Sequence, residues 1–111
     1  MDKFLKNINH KEVLKLADLV QATDGQVVSK TLAQNKYVSI TVFAFSKGEE
    51  ISTHESDGDA LVALLEGTGK FIVDGKEYIL NAGESVVMPA RKPHSVHAIE
   101  SFKMQLTVVN K

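Results

Sequence analysis

Two of the four histidines, His54 in "ISTHESDGD" and His94 in "ARKPHSV", stand forty residues apart in segments that read as strand and turn. An imidazole can give a lone pair to a transition metal, or pass a proton near neutral pH, where its unperturbed pKa of about 6.5 lies. Two of them on different strands could hold one divalent ion (Zn²⁺, Ni²⁺, Mn²⁺ or Fe²⁺), hold a small polar ligand, or work as an acid–base pair. A firmly held ion takes three or four protein ligands. Carboxylates that could complete the shell are Glu50, which shares strand parity with Ser52 and His54, and Asp57 or Asp59 in the turn that follows. Glu55 should point away from His54, and His97, three residues past His94, falls on the opposite face of an unbroken strand. The plainer alternative is two inward histidines satisfied by backbone and water, with no ion.

Most of the chain reads as the β-structure needed to bring these rings together. "QVVSKTLAQ" and "YVSITVFAFS" are rich in β-branched and aromatic residues, with polar "QNK" between them. "ALVALLEG" is almost wholly apolar, as in a strand covered on both faces. In "KFIVDGKEYIL", Asp74-Gly75 between two apolar runs predicts a type I′ hairpin. "ESVVMPA", "SVHAI" and "FKMQLTVV" follow, the last with Met104, Leu106 and Val108 on one face. Eight or nine short strands separated by Gly, Asn and Asp turns predict an antiparallel sandwich or barrel, with a jelly roll among the options. Ahead of them the pattern predicts one amphipathic α-helix within residues 1–24. Asn9 would cap it with Glu12, Ile8 and Val13 would staple it, and Val13, Leu16, Ala17 and Val20 would form its apolar face. Residues 1–111 are expected to form one domain, with the barrel over 25–111.

Two stretches resemble the paired motifs of the cupins: "GEEISTHESDGDALVALLEG" at 48–67 and "GESVVMPARKPHSV" opening the second, at 83–98. Gly48, His54 and Gly67 keep the register of the first motif, and Gly83, Pro89 and His94 that of the second. The resemblance implies a mainly all-β, single-domain jelly-roll barrel. It also implies a divalent metal held by three histidines and a glutamate, of which only His54 and His94 remain. Ser56 stands in place of the second histidine and Ala60 in place of the glutamate. Arg91 replaces a glycine and Ala98 an asparagine. The expected pocket is lined by His54, His94, Ser56, Ala60 and Met104, with His54 and His94 as the metal candidates and Ser56 and Ala60 adding room. Cupins span dioxygenases, isomerases, storage proteins and sensors, so two function classes stay open: a metal-dependent enzyme, and a metal-free sensing or binding module.

Composition narrows the partners. A net charge of −1 with no basic run gives no footprint for nucleic acid, and no apolar run approaches the ~20 residues of a membrane span. The first residues lack an apolar leader core, so a cytoplasmic location is expected. With no cysteine there is no disulfide or thiolate chemistry. Arg91, Lys92 and His97 could form a cationic rim for an acidic substrate, or an ordinary solvated loop. Small cupins commonly pair through sheet faces, so a homodimer binding a small molecule is the expected assembly.

Overall fold

The computed structural model describes residues 4–111. It holds eight strands: β1 (Val27–Gln34), β2 (Val38–Phe45), β3 (Glu50–His54), β4 (Asp59–Val73), β5 (Lys76–Asn81), β6 (Ser85–Met88), β7 (His94–His97) and β8 (Phe102–Val109). All pairings are antiparallel, in the order β1-β2-β8-β4-β7-β3, with β5 and β6 also on β4. The apolar run "ALVALLEG" and the following "KFIV" form one fifteen-residue strand. Its first half pairs with β8 and β6, and its second half with β7 and β5. That single strand curls the sheet upon itself. The register slips between Leu64 and Glu66 opposite β8, and Gly67 follows at φ +81°. A side chain on Gly67 would run into the Ser101 carbonyl and the Phe102 backbone, so the bend needs both the left-handed φ and the missing Cβ.

Inside the curl, Phe45 stacks on Phe102 at 4.6 Å, and Phe71 meets Phe102 edge-on at 5.9 Å. With Leu64 these rings fill one end of the barrel and are fully buried. Asp74 and Gly75 take φ +50° and +83°, as a type I′ hairpin requires.

The N-terminal segment departs from expectation. In place of an α-helix there is one 3-10 turn, Leu16–Leu19, and Val13 is wholly exposed. Chain contacts compete with the helix. Lys6 N–H donates to the Leu32 carbonyl and the Asn7 amide to the Thr31 carbonyl, so the segment is tied to β1, and Asn7 and Lys11 adopt positive φ. A helix this short has too little intrinsic stability to override such contacts. Ile8, Leu16, Leu19 and Val20 instead lie over the outer face of β2 at Val42 and Ala44. Lys103, almost buried, donates Nζ–H to the Ala17 carbonyl at 2.8 Å. The cover is partial: Leu61 and Val87, register partners on the outer face, stay 45% and 51% exposed, so a single chain leaves this part of β4 uncovered on its outer side.

Gly67→Ala should cost more than about 2 kcal/mol in urea unfolding, since overpacking adds to backbone strain. Gly75→Ala, where an added Cβ meets nothing, should cost clearly less.

Candidate functional site

The register between β3 and β7 sets His54 directly opposite His94. β7 buries His94 beside Val73 of β4, and β3, an edge strand, leaves His54 at the rim. Their Nε2 atoms lie 3.1 Å apart and the rings cross at 72°. Each Nδ1 donates to a backbone carbonyl two residues earlier: His54 to Ser52 at 2.9 Å, His94 to Lys92 at 3.2 Å. Carbonyls only accept, so the Nδ1 positions carry the protons, and the two Nε2 atoms face each other across 3.1 Å, a contact that a shared proton would stabilise. Burial, and then the neighbouring His54, hold the His94 pKa below its ordinary 6.5, partly opposed by the Lys92 carbonyl and the charge of Glu55.

Below the pair lies a cavity of about 140 Å³. Its wall is apolar: Phe43 of β2 beside its register partner Met104 on β8, Leu106 and Val108 further along β8, Met88 of β6 and Ile51 of β3. Ala60 and Ser56 face it too, so all five residues expected in the pocket border it. Leu106 and Val108 alternate with Met104 on β8 and could have been named from parity alone. Phe43 and Ile51 could not, because nothing local to their strands marks that end of the barrel as open.

The expected carboxylates go elsewhere. The β3–β7 register slips between Ile51 and His54, so Ile51 and His54 both face the cavity although three residues apart, and Glu50 turns outward. There Glu50 accepts from His97 Nδ1 at 2.8 Å, and Ser95 Oγ and His97 Nε2 share a hydrogen bond of 3.0 Å, which puts His97 outside as its spacing implied. Asp59 accepts from the Ala90 N–H, and Ser56 spends its hydroxyl on the Gly58 carbonyl. Glu55, set aside on parity, is near enough for its charge to act on His94.

A 3.1 Å nitrogen separation suits two imidazoles on one ion at about 2.0–2.1 Å. Yet among the described residues no group of three histidine, aspartate or glutamate side chains converges anywhere. The donor set is half of the four-ligand site the resemblance implies, so it does not fit a firmly held ion.

Comparison with known proteins agrees with this architecture. Residues 41–110 match the model of the cupin domain, and the chain belongs to the cupin family. It is similar to a conserved protein of unknown function from Streptococcus pyogenes (40% identity, TM-score 0.97, covering 99% of this chain and 96% of that one). A cupin superfamily protein from Desulfitobacterium hafniense is 34% identical at TM-score 0.92, covering 96% and 98%. A cupin 2 conserved barrel domain protein from Leptotrichia buccalis is 45% identical at TM-score 0.85, covering 87% of this chain and 47% of that one. No curated protein matches. Among the described residues no helix is long and apolar enough to cross a membrane.

Because the folded state lowers the His94 pKa, the unfolded chain binds the extra proton more readily, and stability must fall as pH drops through 6.5 and below. Unfolding free energies measured between about pH 7 and pH 5 should decline less steeply in His94→Gln than in the wild type.

Proposed function

We propose that this cupin is a small-molecule binding protein whose ligand enters the barrel apolar part first, with its polar end at the His54–His94 pair. The observation that carries this reading is an apolar cavity of about 140 Å³ bordered by the facing imidazoles of His54 and His94, in a barrel that also buries Phe45, Phe71 and Phe102. An engineered apolar cavity of about 150 Å³ accepts benzene, which sets the ligand's apolar part at roughly six heavy atoms. Ala60 keeps the space open, since a larger side chain there would fill it. Met88 and Met104 give the wall an adaptable surface. With few polar groups, the site has the make-up of a ligand pocket: mostly apolar, with a small number of placed polar atoms.

Toluene and benzyl alcohol are suitable probes, followed by the ¹³C-methyl NMR signals of Met88 and Met104. Both signals should shift and saturate on titration, and Ala60→Leu should weaken binding at least ~tenfold with an unchanged circular dichroism spectrum. Unshifted methyls at saturating probe would remove the reading. Stoichiometric Zn²⁺, Ni²⁺, Mn²⁺ or Fe²⁺, lost in His54→Ala and blocking both probes, would replace it with a metal-centred one.

A further inference from the structure

Three polar side chains border the cavity, those of His54, Ser56 and His94, and each has its hydrogen engaged elsewhere. The Nδ1–H groups of His54 and His94 go to the carbonyls of Ser52 and Lys92, and the Ser56 hydroxyl donates to the Gly58 carbonyl at 2.8 Å. What these side chains keep for a ligand is lone pairs: two Nε2 atoms and a hydroxyl oxygen. The two Nε2 lone pairs confront each other across 3.1 Å, which is unfavourable without a hydrogen to share. A proton held by the pair itself would serve, but burial and the second ring both disfavour it on His94. The pair therefore favours a donor brought from outside.

We propose that the pocket's ligand is a small primary amine, bound as its ammonium at the His54–His94 pair with its apolar body in the cavity. This rests on the ligand-binding reading above and names its substrate class. An ammonium carries three donors and no acceptor, so it can give one charge-assisted N–H to each Nε2. A hydroxyl brings one donor for two acceptors and adds lone pairs of its own, and a carboxylate brings only acceptors. His54 is exposed, so the charged head keeps part of its water at the rim while the body is buried. Local charge acts in the same sense. Glu55, exposed beside His54, favours positive charge on the His94 ring, and Asp57 is exposed one residue past Ser56. Asp59 contributes less, one of its oxygens being held by the Ala90 N–H. The opposing cations are Arg91 and Lys92, both exposed and neither bordering the cavity. Arg91, at φ +60°, meets the site through its backbone N–H on the Ser56 carbonyl, and Lys92 through the carbonyl that holds His94.

The test uses probes with one ring and different heads, titrated near neutral pH with a chelator present and followed by the Met88 and Met104 methyl signals. Benzylamine should bind about tenfold more tightly than benzyl alcohol, and benzoate more weakly than either. Benzyltrimethylammonium, which keeps the charge but has no N–H, should bind no better than the alcohol. In His54→Ala, at an exposed edge-strand position, the ratio of benzylamine to toluene affinity should fall about tenfold with an unchanged circular dichroism spectrum. Glu55→Gln should lower the same ratio severalfold, and less so at high salt. Equal affinity for amine and alcohol, equal affinity for benzylamine and its trimethyl analogue, or an amine preference that survives in His54→Ala would each overturn the assignment. The ligand-binding reading would stand in those cases, because toluene would still shift the methyls. Silence from every probe would remove that reading and the assignment with it.

Discussion

The structure depends on one strand serving two sheets. β4 pairs with β8 and β6 along its first half and with β7 and β5 along its second, so the curl of the barrel is carried by a continuous backbone rather than by a loop. The slip at Leu64–Glu66 and the bare Cα of Gly67, pressed on Ser101 and Phe102, let the strand turn without losing its ladder. Because β7 pairs with the second half of β4 and β3 pairs with β7, the bend also decides where the two histidines stand. His94 faces Val73 of β4, and His54 faces His94. The site is thus a consequence of the closure.

The two ends of the barrel are filled differently. At one, Phe45, Phe71 and Phe102 interlock around Gly69, whose missing side chain makes space for two of the rings. At the other, Ala60 lies opposite Met88 and Val108, and the small residue leaves open volume. The packed end supplies rigidity, so the open end can keep a cavity without collapse. The outer surface follows the same economy: the N-terminal segment covers Val42 and Ala44, and the near-buried Lys103 secures it through the Ala17 carbonyl.

Much of this was legible in the residues. Alternation in β2 and β8, the Asp74-Gly75 turn and the two motif registers point to the strands, the hairpin and the inward histidines. Two readings failed, each for a physical reason. The pattern at residues 8–20 has helical spacing, but the hydrogen bonds of Lys6 and Asn7 to β1 hold the chain otherwise, and its apolar residues dock without an α-helix. Parity placed Glu50 with His54, yet a slip of register between Ile51 and His54 puts Ile51 with His54 on the cavity face and leaves Glu50 outside, bonded to His97. Parity holds only along an unbroken ladder, and an irregularity leaves no trace in composition.

By itself, the sequence determined the strand content, the family and the types of group available: two inward imidazoles, no cysteine, and small residues at 56 and 60 where ligands would stand. These follow from local pattern, because alternation, turn chemistry and motif spacing act over a few residues. Only the tertiary structure decided that Glu50 bonds His97 outside the barrel, that Phe43 and Ile51 help line an apolar cavity, and that Arg91 is held at positive φ against Ser56. Those outcomes depend on which strands meet and in what register. That is settled by closing the whole sheet around its core, over contacts between residues far apart in the chain.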